Sequence, residues 1–308
     1  MFQGKRVRRQ GAIVVLTAVT FAGAAVAQTP AGRPAPSQAP AAKTSVSPPQ
    51  ASPVVIAPHR AVYEISLDQA RNAASVTEMS GRMVYELTGS SCEGYSQSMR
   101  FVSRMGSQDG STTITDMRSS SWEDAAAKTL RFNSSQYKDS KLSETTQGEA
   151  ARDAKSGEVK VEVARPTKKE LTLKPGAYYP VQHSIALLAA ARRGDTVFQA
   201  DLYDGSEKGE KVYATTTFIG AVRPAGHNAT LPAVSSAAPL DAVRSWPVSI
   251  SYFEAGSDKK DAVPSYELAF VYFENGVSRR LFIDYGDFAI RGVLKDITFH
   301  EPSKCDVK

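Results

Sequence analysis

The chain has 308 residues, 42% of them hydrophobic and 22% charged, which excludes collagen, a coiled coil and a wholly disordered chain. Its formal net charge of +5 sits at the start: residues 1–27 carry Lys5, Arg6, Arg8 and Arg9 and no acid, so the remainder of the chain is nearly neutral. A neutral body offers no electrostatic case for binding nucleic acid or an anionic membrane surface.

Residues 1–27 read as a secretory signal peptide. A basic start is followed by an apolar run from Ala12 to Ala25, and Ala25-Val26-Ala27 fits the small-x-small rule for cleavage after Ala27. The run is short for a bilayer span, and no Cys follows it to carry a lipid. No later apolar stretch approaches the ~18 residues a membrane helix needs, so no transmembrane anchor is expected after cleavage. The expected compartment is the periplasm. Residues 28–58 hold 8 of the 17 prolines among Ala, Ser, Thr and Gln, a composition that predicts a disordered linker.

Residues 59–308 read as one mainly antiparallel, all-β domain. Ala61, Tyr63, Ile65 and Leu67 alternate with more polar residues, as do Met83, Tyr85 and Leu87, and later Val159, Val161 and Val163. Such period-2 patterns mark strands. Similar segments near 95–105, 111–122, 129–137, 141–149, 196–203, 211–220, 246–254, 265–274, 278–285 and 288–299 bring the count to about 13 strands. One helix is predicted near Val181–Arg193, opened by Pro180 and stopped by Gly194. Asn275-Gly276 is a hairpin signal, Asp204-Gly205 and Tyr285-Gly286-Asp287 predict further turns, and Arg223–Pro239 reads as a long loop. A sheet of this many strands must split or curl, which predicts a curled sheet with the helix against its inner face.

No catalytic constellation stands out. Ser135-Gln136-Tyr137-Lys138 matches Ser-x-x-Lys but falls within a predicted strand. His59, His183, His227 and His300 are far apart in sequence, and no metal or other cofactor is expected. His183 in the first turn of the helix is either a cavity-facing group or a structural histidine bonded to a strand. The two cysteines, Cys92 and Cys305, predict one disulfide in an oxidising compartment. The aromatic tract containing Trp246, Tyr252, Tyr266 and Phe270 reads as core or as the wall of a pocket.

Several phrases resemble the cell-envelope-integrity EipB-like family, a periplasmic family of alphaproteobacteria. They include Tyr85-Glu86-Leu87 with Cys92-Glu93-Gly94-Tyr95, Tyr179-Pro180-Val181-Gln182-His183-Ser184, Tyr203-Asp204-Gly205-Ser206, Lys211-Val212-Tyr213-Ala214-Thr215, Trp246-Pro247-Val248 and Asp284-Tyr285-Gly286-Asp287-Phe288. The resemblance spans about residues 58–306 and rests on the order of the phrases. It implies a spiral-like, broken β-barrel with a cup-shaped interior, a disulfide matching Cys92 and Cys305, and a role in maintaining the envelope. It supplies no catalytic residue.

The expectation is therefore a non-enzymatic periplasmic protein that binds a lipid-like, apolar or amphipathic ligand, or a peptide, in a curled sheet. His183, Trp246, Tyr252, Tyr266 and Phe270 are the candidate lining. The rival readings are an enzyme acting on peptidoglycan or envelope glycans and a scaffold for other envelope proteins.

Overall fold

The computed structural model describes residues 53–305, except 72–75, 228–230, 232–233 and 255–262. The expected signal peptide and most of the expected linker lie outside the described residues. The end of that linker is part of the fold. Ile56 is buried, and the Ala57 N–H donates to the Asn275 carbonyl at 2.9 Å.

The first run of strands is β1 (His59–Ala70), β2 (Val76–Ser90), β3 (Gly94–Ser107), β4 (Thr112–Glu123), β5 (Thr129–Lys138), β6 (Lys141–Arg152), β7 (Val159–Arg165) and β8 (Lys169–Leu173). Helix α1 (Pro180–Arg193) comes next. The second run is β9 (Val197–Leu202), β10 (Tyr213–Ile219), β11 (Ser245–Glu254), β12 (Tyr266–Phe273), β13 (Ser278–Asp284) and β14 (Phe288–Phe299). All lie in one 14-stranded sheet ordered β8-β7-β6-β5-β4-β3-β2-β1-β14-β13-β12-β11-β10-β9. The chain enters at the middle, walks out to one edge, crosses through α1 to the other edge and walks back, until β14 pairs with β1. The strand that sequence periodicity misses is β8.

The sheet curls without closing between β8 and β9. Contact between its two ends shows the curl. The turn after β9 lays Gly205 on Phe132 of β5, where a Cβ would lie 2.3 Å from the ring. At φ 75° the backbone is left-handed there as well, so glycine meets both the close approach and the conformation. Phe132, Leu130, Ala150, Val161 and Val163 from one run bury against Tyr203 from the other, and the Tyr203 hydroxyl donates to the Gly209 carbonyl at 2.8 Å. The outer edge of β9 is partly covered: the Tyr178 N–H donates to the Asp201 carbonyl, and the Tyr203 N–H to the Tyr178 carbonyl. This leaves less edge open to another strand. The edge strand β8 instead carries exposed Lys169 and Glu170.

Helix α1 fills the inside of the curl. Its Val181, His183, Leu187, Leu188, Ala190 and Ala191 are buried. Gly194 closes it in the left-handed conformation, with cap N–H bonds to Ala190 and Ala191. Its N-terminal residues meet β4, β10 and β12, so it ties the two runs together. The Asn275-Gly276 and Tyr285-Gly286-Asp287 turns join β12 to β13 and β13 to β14, as their sequences predict. The described residues of the 223–239 stretch include the start of a 3-10 segment at Ser235–Ala242, which packs on β14. Cys92, in the turn after β2, is bonded to Cys305, with Cα atoms 5.8 Å apart.

Candidate functional site

Side chains alternate across each strand, so register decides which ones meet inside the curl. Tyr85, Met99, Ser119, Ser134 and Thr146 form one inward row across β2 to β6. Leu87, Gln97, Ser121, Phe132 and Gly148 form the next. Facing these rows are Pro180 at the start of α1, Asp204 to Glu207 in the turn after β9, and Tyr213 and Tyr266. Together they enclose a cavity of about 450 Å³. That is within the usual size of a small-ligand site.

The cavity has two kinds of wall. One is hydroxyl and amide: Ser121 donates to Gln97, whose amide in turn donates to the Tyr85 hydroxyl at 2.8 Å. The other is aromatic. Tyr266 stacks on Tyr252 with centroids 4.3 Å apart, and Tyr213 meets both edge-on at 5.9 Å. Burial pushes the Tyr85 phenol up to about 12 and raises Tyr213 and Tyr266 as well, so these groups are neutral hydroxyls in ordinary conditions.

One buried acid sits beside the cavity. Glu123, at the end of β4, is 1% exposed and lies between Tyr95 and Leu130 in the register. Its carboxylate accepts the Val181 N–H at 2.6 Å and the Gln182 N–H at 3.2 Å. These are orphan donors of the first helical turn, and Tyr179 at the cap position makes no side-chain cap bond. Pro180 has no N–H to satisfy. Burial pushes Glu123 up to about 7 against the lowering effect of those two bonds. Its geometry is that of a helix cap supplied from a strand.

Of the residues singled out from sequence, the structure puts only Tyr266 on the cavity wall, with Tyr252 stacked behind it. His183 turns away. Its Nε2 lies 3.2 Å from the Thr215 hydroxyl, which itself donates to the Ala200 carbonyl, so Nε2 carries the proton. Packed against Phe198 and Tyr178, it is held neutral, with burial lowering it to about 4. Trp246 and Phe270 belong to the hydrophobic core. Neither lines this cavity; Phe270 instead borders a separate hollow of about 900 Å³ with Leu231 and Leu281. Ser135 and Lys138 fall on opposite faces of β5, pairing with Arg118 and Thr115, and cannot act together. Among the described residues no group of His, Cys, Asp and Glu is arranged to hold a metal. No described helix is long and apolar enough to cross a membrane.

Sequence reasoning missed the Ser, Gln and Met positions of β3 to β5. The signal was present: Ser96-Gln97-Ser98-Met99 and Ser119-Ser120-Ser121 are polar on both faces of a strand. A strand with polar residues facing inward must face something wet.

A larger hollow of about 1060 Å³ lies on the opposite face of the same strands, lined by Glu86, Ser96, Trp122, Arg131, Gln147 and Glu149 among others. It is more open, and Arg131 is already engaged by Glu149 at 3.0 Å and by the Trp122 ring at 5.4 Å. Paired, exposed charges are the ordinary chemistry of a solvated face, so the less open cavity is the better candidate.

The EipB-like family model matches residues 50–301. A relative from Brucella abortus (strain 2308), named cell envelope integrity protein EipB, is 35% identical over 254 residues, covering 82% of this chain and 88% of its own length. A crystal structure of a beta-barrel-like protein of domain of unknown function DUF1849, from Brucella abortus, superposes with a TM-score of 0.73 at 32% identity. The match covers 80% of this chain and all of that one.

Proposed function

This chain belongs to the EipB-like family, and from that premise we propose that it is a non-enzymatic periplasmic protein supporting cell-envelope integrity by holding an amphipathic ligand or a peptide in its interior cavity. The observation that carries the reading is the cavity with a hydroxyl-rich wall on β3 to β5 opposite a tyrosine wall. A two-sided lining suits a ligand with both polar and apolar surface, which refines the mainly apolar pocket expected from the aromatic tract. The name of the Brucella relative supports the envelope role. The N-terminal segment supports export, and the Cys92–Cys305 bond fits an oxidising compartment. The lining offers hydroxyls, amides and acids without an activated nucleophile, which favours binding over catalysis.

The test is to fill the cavity. Ser119 lines the cavity, whereas Ser96 on the neighbouring strand is exposed and does not. In cells lacking the native gene, Ser119→Trp is expected to leave the envelope detergent-sensitive, while Ser96→Trp restores resistance. Both proteins should be folded by near-UV circular dichroism. Full rescue by the folded Ser119→Trp protein would count against the cavity as the working part.

A further inference from the structure

We infer that the cavity selects an amphiphile whose polar end is an organic ammonium group, an inference that rests on the ligand-binding reading above. The charged side chains lining the cavity are Glu144, Asp204 and Glu207, and none of its lining residues is Lys, Arg or His. Asp204 lines the cavity together with Tyr213 and Tyr266. Its Oδ1 accepts the Ser206 N–H at 2.9 Å, which fixes the carboxylate and leaves Oδ2 to a ligand. Tyr252, whose phenol burial first and the negative charge of Asp204 second push up, stacks on Tyr266.

A carboxylate next to tyrosine faces is the chemistry that holds an alkylammonium: the rings attract the cation through their quadrupoles, and the acid supplies the opposite charge. The protein already makes this contact once nearby, with the Lys211 ammonium 4.9 Å from the centre of the Tyr213 ring and paired with Glu254 at 2.9 Å. Met99 and Met117 supply an adaptable apolar surface for a chain.

The experiment compares three amphiphiles with the same eight-carbon chain by isothermal titration calorimetry, below their micelle concentrations. They are octyltrimethylammonium, octyl glucoside and octyl sulfate, added to the oxidised full-length protein. The ammonium is expected to bind about tenfold more tightly than the neutral glucoside, the range a partly desolvated cation–π contact supports. Asp204→Asn keeps an oxygen for the Ser206 N–H. It should abolish most of that preference, read as the ratio of ammonium to glucoside affinity. Equal binding of all three, or a preference for the sulfate, would overturn the ammonium inference while sparing the ligand-binding reading. No binding by any of them would overturn both. An unchanged preference in Asp204→Asn would also overturn the inference.

Discussion

Glu123 and His183 are two buried ionisable groups on either side of the same helix turn, and their titrations oppose each other. Glu123 is raised from 4.5 to about 7. The folded state therefore keeps a proton that the unfolded chain releases, and stability falls as pH rises through that window. His183 is lowered from 6.5 to about 4. The unfolded chain then binds the extra proton, and stability rises as pH climbs from about 4 to 6.5. Between pH 4.5 and 6.5 the two slopes offset, so the native protein should show little net dependence there from this pair. Glu123→Gln removes one slope and keeps an acceptor for the Val181 N–H. Relative to the native protein, its unfolding free energy should improve by about 2–3 kcal/mol between pH ~4.5 and ~7. Urea unfolding at several pH values measures this. A pH-independent difference between the two proteins would mean that Glu123 is ionised throughout and caps the helix as a full carboxylate.

At the scale of elements, the sequence was most legible where one face of a strand is dry. Ala61, Tyr63 and Ile65 of β1, and Val159, Val161 and Val163 of β7, alternate cleanly because solvent lies on the other side. Helix α1 was legible from Pro180 and Gly194 to within one residue. Strand β8 was missed because Lys169-Glu170-Leu171-Thr172-Leu173 is short and charged, which is what an exposed edge favours and what makes it resemble a loop. The site was harder to read for the same reason in reverse. Aromatic residues such as Trp246 and Phe270 attract attention, yet they are buried in the core away from this cavity, while the serines of β4 and β5 line it. The Cys92–Cys305 bond joins the turn after β2 to the end of the chain across 213 residues. By loop-closure entropy that is worth up to about 5 kcal/mol. Cys92→Ser with Cys305→Ser should lower the unfolding free energy by about 2–5 kcal/mol. The measurement is the urea midpoint of the purified double variant. An unchanged midpoint would show that the C-terminal segment is held by packing alone.

Over the whole molecule, one sheet of 14 strands encloses its own helix because the chain walks out from the middle to one edge and returns from the other. The turn after β9 then meets β5, Gly205 against Phe132, and shuts one side of the curl. A cavity is left between the serine rows and the tyrosine wall, and the central claim is that this cavity holds a ligand. Native mass spectrometry of the protein, isolated without reductant from the envelope compartment of its own cells, tests it most directly. The expected result is a discrete added mass on the folded chain that disappears on denaturation and is absent from the folded Ser119→Trp protein. A folded, disulfide-bonded chain that flies bare, or an added mass that the filled cavity does not displace, would contradict it.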